Sequence, residues 1–64
     1  MTLEEYKNEI KEILIKDFKR TETEAKNIIN HNKNDIEMCF QDELTTKEVA
    51  TIINHTIYET IFKK

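Results

Sequence analysis

Apolar side chains recur at steps of three and four residues along the chain, the spacing that places them on one face of an α-helix. Four such stripes follow one another, and together they predict helices near residues 3–19, 22–31, 35–43 and 46–62. The stripes are Leu3, Tyr6, Ile10, Ile13, Leu14 and Phe18; then Ala25, Ile28 and Ile29; then Ile36, Cys39, Phe40 and Leu44; and finally Val49, Ile52, Ile53, Ile57 and Ile61.

The predicted helix starts share one local signal. A Thr or Asn is followed three residues later by Glu, the spacing of a capping box, in which the two side chains satisfy free backbone N–H groups. The chain has no Gly and no Pro, so tight β-turns are hard to build and an all-α fold is favoured. We expect the three Asn residues of 30–34 to accept the left-handed backbone of a turn. The four pairs are Thr2–Glu5, Thr21–Glu24, Asn34–Glu37 and Thr45–Glu48.

A length of 64 residues predicts one small four-helix domain over 1–64, close to the size at which a single core barely offsets chain entropy. Such a domain is often supported by self-association. The predicted core is Ile10, Leu14, Phe18, Ile28, Ile29, Ile36, Phe40, Val49, Ile53 and Ile57.

Two segments resemble each other: residues 21–32 read TETEAKNIINHN and residues 45–56 read TTKEVATIINHT. The shared Thr, Glu and Ile-Ile recur in any two helices that begin and pack alike. Solenoid units are generally used in three or more copies. We therefore interpret the likeness as two helices that obey the same local rules; duplication is the alternative.

The residues argue against catalysis and metal binding. The chain has no Ser, and a Gly-rich phosphate loop is impossible without Gly. Cys39 lies on an apolar stripe and is typical of a small buried hydrophobe. His31 and His55 form no His-x-x-x-His pair, so we interpret both as solvated. The sequence thus predicts no enzyme, metal or cofactor.

The charge balance argues against nucleic acid as a partner. The net charge is −3 and the isoelectric point is near 5.3, the wrong sign for binding phosphates. Residues 44–56 look like the first helix of a helix-turn-helix, but no turn and recognition helix follow. A DNA-binding regulator with such a C-terminal half is the alternative to a protein-binding module. A single cysteine and the lack of a long apolar run predict a cytoplasmic protein without a membrane partner.

The middle of the chain resembles a ubiquitin-associated (UBA-like) three-helix module over roughly residues 10–44. That family binds ubiquitin through the loop after its first helix, where this chain has Asp17 in place of Gly and about two extra residues. In size and composition, the chain also resembles short helical proteins of bacteriophages and mobile elements, which implies binding to a host protein. The resemblance rests on EILIKDF at 12–18, EAKNII at 24–29 and NDIEMCF at 34–40, with Phe18, Ala25, Ile29 and Ile36 at family positions.

The fourth helix is more apolar than one buried face requires. Aromatic side chains are enriched at interface centres. The second helix offers few side chains to cover Tyr58 and Phe62 of helix four. We therefore predict a protein interface on helix four, formed either with an unidentified protein or with a second copy in a homodimer. The candidate interface residues are Ala50, Ile57, Tyr58, Ile61 and Phe62.

Overall fold

Four helices and their short connections account for the fold, in a computed structural model that describes the backbone of residues 1–62 and the side chains of residues 1–54. The helices cover 78% of the chain, and residues 1–62 contain no strand. The predicted all-α four-helix fold is confirmed. The helices are α1 (Leu3–Lys16), α2 (Glu22–His31), α3 (Lys33–Gln41) and α4 (Thr46–Phe62).

The capping boxes at the starts of three helices are confirmed. At α1, the Glu5 N–H donates to Thr2 Oγ1 at 3.1 Å, and the Thr2 N–H donates to Glu5 Oε1 at 2.9 Å. The same reciprocal bonds occur at α2 and α4. Each box satisfies two backbone donors that the helix itself leaves unpaired. The remaining pairs are Thr21–Glu24 and Thr45–Glu48.

The predicted start of α3 is wrong. The helix begins at Lys33 rather than 35, and Asn34 does not cap it. The residue before it, Asn32, is buried and ends α2: its backbone N–H and its side-chain Nδ2 both donate to Ile28 O, at 3.1 and 2.8 Å. Because Asn32 O also accepts from the Ile36 N–H at 2.9 Å, the backbone passes from α2 to α3 through one non-helical residue.

The left-handed turns do not use Asn, contrary to expectation. Lys19 (φ 58°) and Glu43 (φ 63°) adopt this conformation instead. At the end of α3, the Leu44 N–H donates to Cys39 O at 3.1 Å and the Glu43 N–H donates to Phe40 O at 3.2 Å. These bonds form a Schellman motif, whose left-handed position is usually Gly. The turns explain why α1 and α3 end three and two residues earlier than predicted.

One hydrophobic cluster joins the four helices. Of the predicted core, Phe18, Ile29 and Phe40 are only partly buried, and the side chain of Ile57 lies outside the described residues. Tyr6 and Ala25 add to the buried set, and the Tyr6 ring meets Phe40 edge to face at 5.0 Å. The buried predicted residues are Ile10, Leu14, Ile28, Ile36, Val49 and Ile53.

Helices α1 and α4 run in the same general direction, because residues further along the α1 side bond to residues further along the α4 side. By the last of these contacts, α4 has reached the connection between α1 and α2. The hydrogen bonds run from Tyr6 Oη to Leu44 O (2.7 Å), from Thr46 Oγ1 to Glu9 Oε1 (2.9 Å) and from Arg20 Nε to Asn54 Oδ1 (2.7 Å).

Candidate protein-binding site

A shallow groove of about 500 Å³ lies along the first two turns of α4. We refer to it as the α4 groove. It is open to solvent and contains the exposed side chain of Ile52. Its lining residues are Leu44, Thr45, Lys47, Glu48, Thr51 and Ile52.

The Schellman motif positions one end of this groove. Glu43 reverses the chain, so that Leu44 packs partly against the core while its carbonyl accepts the Tyr6 hydroxyl at 2.7 Å. Thr45 then caps α4 through Glu48. The entry to the groove is therefore held by backbone and side-chain hydrogen bonds from α1, α3 and α4.

The polar side chains of the groove bond mainly to their own helix. Thr51 Oγ1 donates to Lys47 O at 2.9 Å, and Thr45 Oγ1 donates to Glu48 Oε1 at 3.2 Å. These hydroxyl donors are occupied by local acceptors. The groove thus offers a partner chiefly apolar surface with charged side chains at its border.

Ile52 is the exposed member of an isoleucine pair. Its side chain is 54% exposed, whereas Ile53 is 2% exposed and belongs to the core. Adjacent residues on a helix point about 100° apart, so the two isoleucines differ in their direction from the helix axis. The inward positions of α4 are filled by Val49, Ala50 and Ile53, which leaves Ile52 in the groove. Ile52 belongs to the predicted apolar stripe of helix four, and the structure leaves it exposed.

The candidate interface predicted from the sequence and the α4 groove lie on the same helix but share no residue. Ala50 is fully buried; it is a core residue, and its assignment to an uncovered surface is wrong. The side chains of the other four candidates lie outside the described residues, so their role stays a prediction. Those candidates are Ile57, Tyr58, Ile61 and Phe62.

Cys39 has the electrostatics of a structural thiol. It is half-buried under the turn after α3. Burial raises the pKa of the Cys39 thiol, and the carboxylates of Asp35 and Asp42 raise that pKa further. Since the thiolate is the reactive form, this environment lowers the nucleophilicity of Cys39 at neutral pH.

His31 lies in the last turn of α2, where it was predicted, and its side chain is exposed. His55 lies beyond the described side chains. Across the side chains that are described, no group of three or more His, Cys, Asp or Glu is arranged to hold a metal ion.

A second groove separates α1 from α2 and carries three lysines, Lys7, Lys11 and Lys26. Glu4 lies in the same groove, and Lys11 Nζ is 3.7 Å from a carboxylate oxygen of Glu22. These carboxylates reduce the positive charge that the groove presents to a ligand.

Comparisons with protein-family models, with curated proteins and with solved structures find no match to this chain. The UBA-like resemblance and the resemblance to phage and mobile-element proteins therefore stay predictions. Over residues 1–62, no helix combines the length and the apolar character needed to cross a membrane.

Proposed function

We propose that this protein is a non-enzymatic protein-binding module and that the α4 groove is its binding surface. The observation that carries the proposal is Ile52, whose side chain is 54% exposed although Val49, Ala50 and Ile53 beside it are buried. Large apolar side chains that border an open groove are typical of sites where another protein docks.

The groove also suits a macromolecular partner better than a small molecule. Pockets for small ligands bury most of the ligand surface and converge a few polar groups on it. The α4 groove is shallow, and its threonine hydroxyls bond within their own helix. Asp42, Glu43 and Glu48 are exposed near the groove, which favours a partner with basic groups at its rim.

Affinity capture tests this proposal. The tagged protein, a variant with Ile52→Glu and a control with Met38→Glu are each exposed to a bacterial lysate. Met38 is 63% exposed on α3 and does not line the groove, so the control makes the same change on another surface. We expect Ile52→Glu to abolish capture of a protein, or of a second copy, and Met38→Glu to preserve it.

Folding is checked in the same experiment by circular dichroism. Substitutions at exposed sites usually change the free energy of unfolding by no more than about 0.5 kcal/mol, so both variants should remain helical. Equal capture by the wild type and both variants would contradict the proposal.

The alternative is a DNA-binding regulator, which the three lysines between α1 and α2 favour. Phosphate binding weakens steeply as salt rises, so a salt-dependent mobility shift on duplex DNA identifies it. The net charge of −3 leads us to expect no shift. A shift lost on Lys7→Glu with Lys26→Glu would establish the alternative.

A further inference from the structure

We propose that the groove between α1 and α2 binds a compact phosphate-bearing small molecule, held between the ammonium groups of Lys7 and Lys26. We refer to it as the α1–α2 groove. It shares no lining residue with the α4 groove, so the inference goes beyond the proposed function and is independent of it. Three observations carry it: the register of α1 against α2, the lack of a counter-charge for two lysines, and the carboxylates at the ends of the groove.

The register of the two helices places Lys7 opposite Lys26. Lys11 Nζ lies 3.7 Å from a carboxylate oxygen of Glu22, the first residue of α2. The groove is lined by earlier residues of α1 and by later residues of α2, so the helices run antiparallel from this ion pair. Residues three and four apart share a helix face. Lys7, one turn before Lys11, therefore lies level with Lys26, one turn after Glu22.

Lys7 and Lys26 lack an internal counter-charge. Over residues 1–54, whose side chains are described, neither ammonium group has a carboxylate oxygen within 4.0 Å. Two like charges that face each other repel, and an anion placed between them removes this repulsion. Lys7 is half-buried and lines the groove beside the partly buried Ile29. Charges in such a position are screened less by salt than fully exposed ones.

The chemistry of the groove favours a phosphate group as the anion. A phosphate monoester carries a charge of about −1.5 to −2 at neutral pH, which two ammonium groups balance. A planar carboxylate is matched best by the fork of an arginine, and none of the described lining residues is an arginine. The ammonium group of lysine is a compact charge with three donors, which suits oxygens that project in several directions. The amides of Asn8 and Asn30 also line the groove and can donate to the remaining oxygens.

Carboxylates at both ends limit the size of the ligand. Glu4 lines the groove one turn before Lys7, and Glu22 lies at the other end beside Lys11. The groove has a volume of about 260 Å³. A nucleic-acid strand carries a phosphate roughly every 3.4 Å along its axis, so neighbouring phosphates of a bound strand would meet these carboxylates. A single compact phosphate group between the lysines avoids both, which favours a small molecule over nucleic acid.

The expected affinity is low. Three lysines against the two carboxylates leave a net charge of +1 at the groove, and the groove is open to solvent, where charge interactions are weak. We therefore expect a dissociation constant for inorganic phosphate in the millimolar range.

Amide chemical shifts of the full chain, followed by NMR, test the site. The protein is titrated with inorganic phosphate and, separately, with phenyl phosphate, while chloride keeps the ionic strength constant. We expect saturable shifts centred on Lys7, Lys26 and Ile29, and none at Thr51 and Ile52. Tighter binding of phenyl phosphate identifies the ligand as an ester whose apolar group covers Ile29, and equal binding identifies it as phosphate itself. Shifts that do not saturate, or that spread evenly over all exposed lysines, overturn the inference.

A pair of double variants separates the groove from overall charge. Lys7→Gln with Lys26→Gln should raise the dissociation constant for phosphate more than about tenfold, because charge-assisted hydrogen bonds are the strong ones. The matched control is Lys16→Gln with Lys33→Gln, which removes the same charge from two exposed lysines outside the groove. Circular dichroism verifies that both variants remain helical. Equal binding by the two variants would mean that the groove does not hold the phosphate.

Removal of Glu4 tests the limit on ligand size through a gain of binding, which unfolding cannot produce. Glu4→Gln should strengthen the binding of phosphate several-fold and that of pyrophosphate more, because the second phosphate group then no longer meets a carboxylate. Glu12→Gln, at an exposed position of α1 outside the groove, controls for the change in overall charge. An equal effect of the two substitutions would contradict a phosphate site between Lys7 and Lys26.

Discussion

The two segments that share the Ile-Ile-Asn-His run have the same local backbone but bury opposite isoleucines. Each begins with a Thr–Glu capping box, and each is preceded by a left-handed residue, Lys19 in one case and Glu43 in the other. In α2, Ile28 is 2% exposed, whereas the equivalent Ile52 in α4 is 54% exposed and its neighbour is buried instead.

The difference shows which features are local and which are tertiary. Capping boxes involve residues three positions apart, so similar sequences reproduce them. Burial depends on the neighbouring helices: α4 has Ala50 where α2 has the exposed Lys26, and its buried face is rotated accordingly. The rotation leaves Ile52 in the groove, and a segment that shares six of its twelve residues with 21–32 thereby acquires a surface that α2 lacks.

The largest effect should separate the two equivalent isoleucines. Ile28→Ala removes a buried side chain and should lower the free energy of unfolding by about 2–5 kcal/mol, enough to unfold much of so small a domain. Ile52→Ala should cost well under half as much, because more than half of its side chain is already exposed. Thermal denaturation by circular dichroism measures both. Equal losses would mean that the two segments pack alike.

The caps should respond equally in the two segments. Thr21→Ala and Thr45→Ala each leave a first-turn N–H without its side-chain acceptor, at a cost of about 1 kcal/mol. Urea denaturation measures both losses, with Thr23→Ala as the control, because Thr23 is an exposed residue of the first turn that forms no cap. A large loss in only one segment would show that the local rule is not shared.

Tyr6 connects α1 to the residue that precedes the second segment, through its hydrogen bond to Leu44 O. Tyr6→Phe should cost about 1 kcal/mol. Burial raises the pKa of Tyr6 above its ordinary value of 10.0, and Cys39 and Glu48 raise that pKa further. The folded state thus favours the protonated phenol, so this stability is fully present below pH 10 and is lost as pH rises through the raised pKa.

Denaturation in urea at neutral pH and near pH 11 measures this dependence on ionisation. The wild type should lose more stability over the interval than Tyr6→Phe does. An identical loss in both proteins would mean that Tyr6 does not contribute.

The smallest change in the free energy of unfolding is expected at Lys19 and Glu43, the left-handed residues two positions before each cap. Lys19→Gly and Glu43→Gly relieve the steric cost of a left-handed side chain, but they also raise the entropy of the unfolded chain. We expect each to increase the free energy of unfolding by about 0.5–1 kcal/mol. A lower melting temperature for either variant would contradict the assigned backbone.

The helices and three of the four caps could be predicted from the sequence because they depend on short spacings that the printed residues display. The end of α2 at residue 31 was predicted, but the capping role of Asn32 was not, since that role depends on its side chain being buried. Nor does the sequence show that Lys19 and Glu43 take the left-handed conformation, which longer-range packing imposes on residues without a preference for it.

The sequence predicted which helix carries the candidate site, but not which residues line the groove. An excess of apolar residues on helix four indicated an interface there, but Ala50 was assigned to that interface and Ile52 was not. The adjacent Ile52 and Ile53 point about 100° apart on the helix, and the apolar pattern alone does not show which of them is exposed. Which isoleucine is exposed depends on how α1 and α2 pack against α4.

Amide chemical shifts of the wild type, followed by NMR as a protein captured through Ile52 is added, test the central claim most directly. The account predicts shifts at Leu44, Glu48, Thr51 and Ile52, and none at Asn27 and Ile28, the equivalents of Thr51 and Ile52 in α2. Shifts centred on α2, or no protein captured through Ile52, would contradict the claim that the α4 groove is a binding surface.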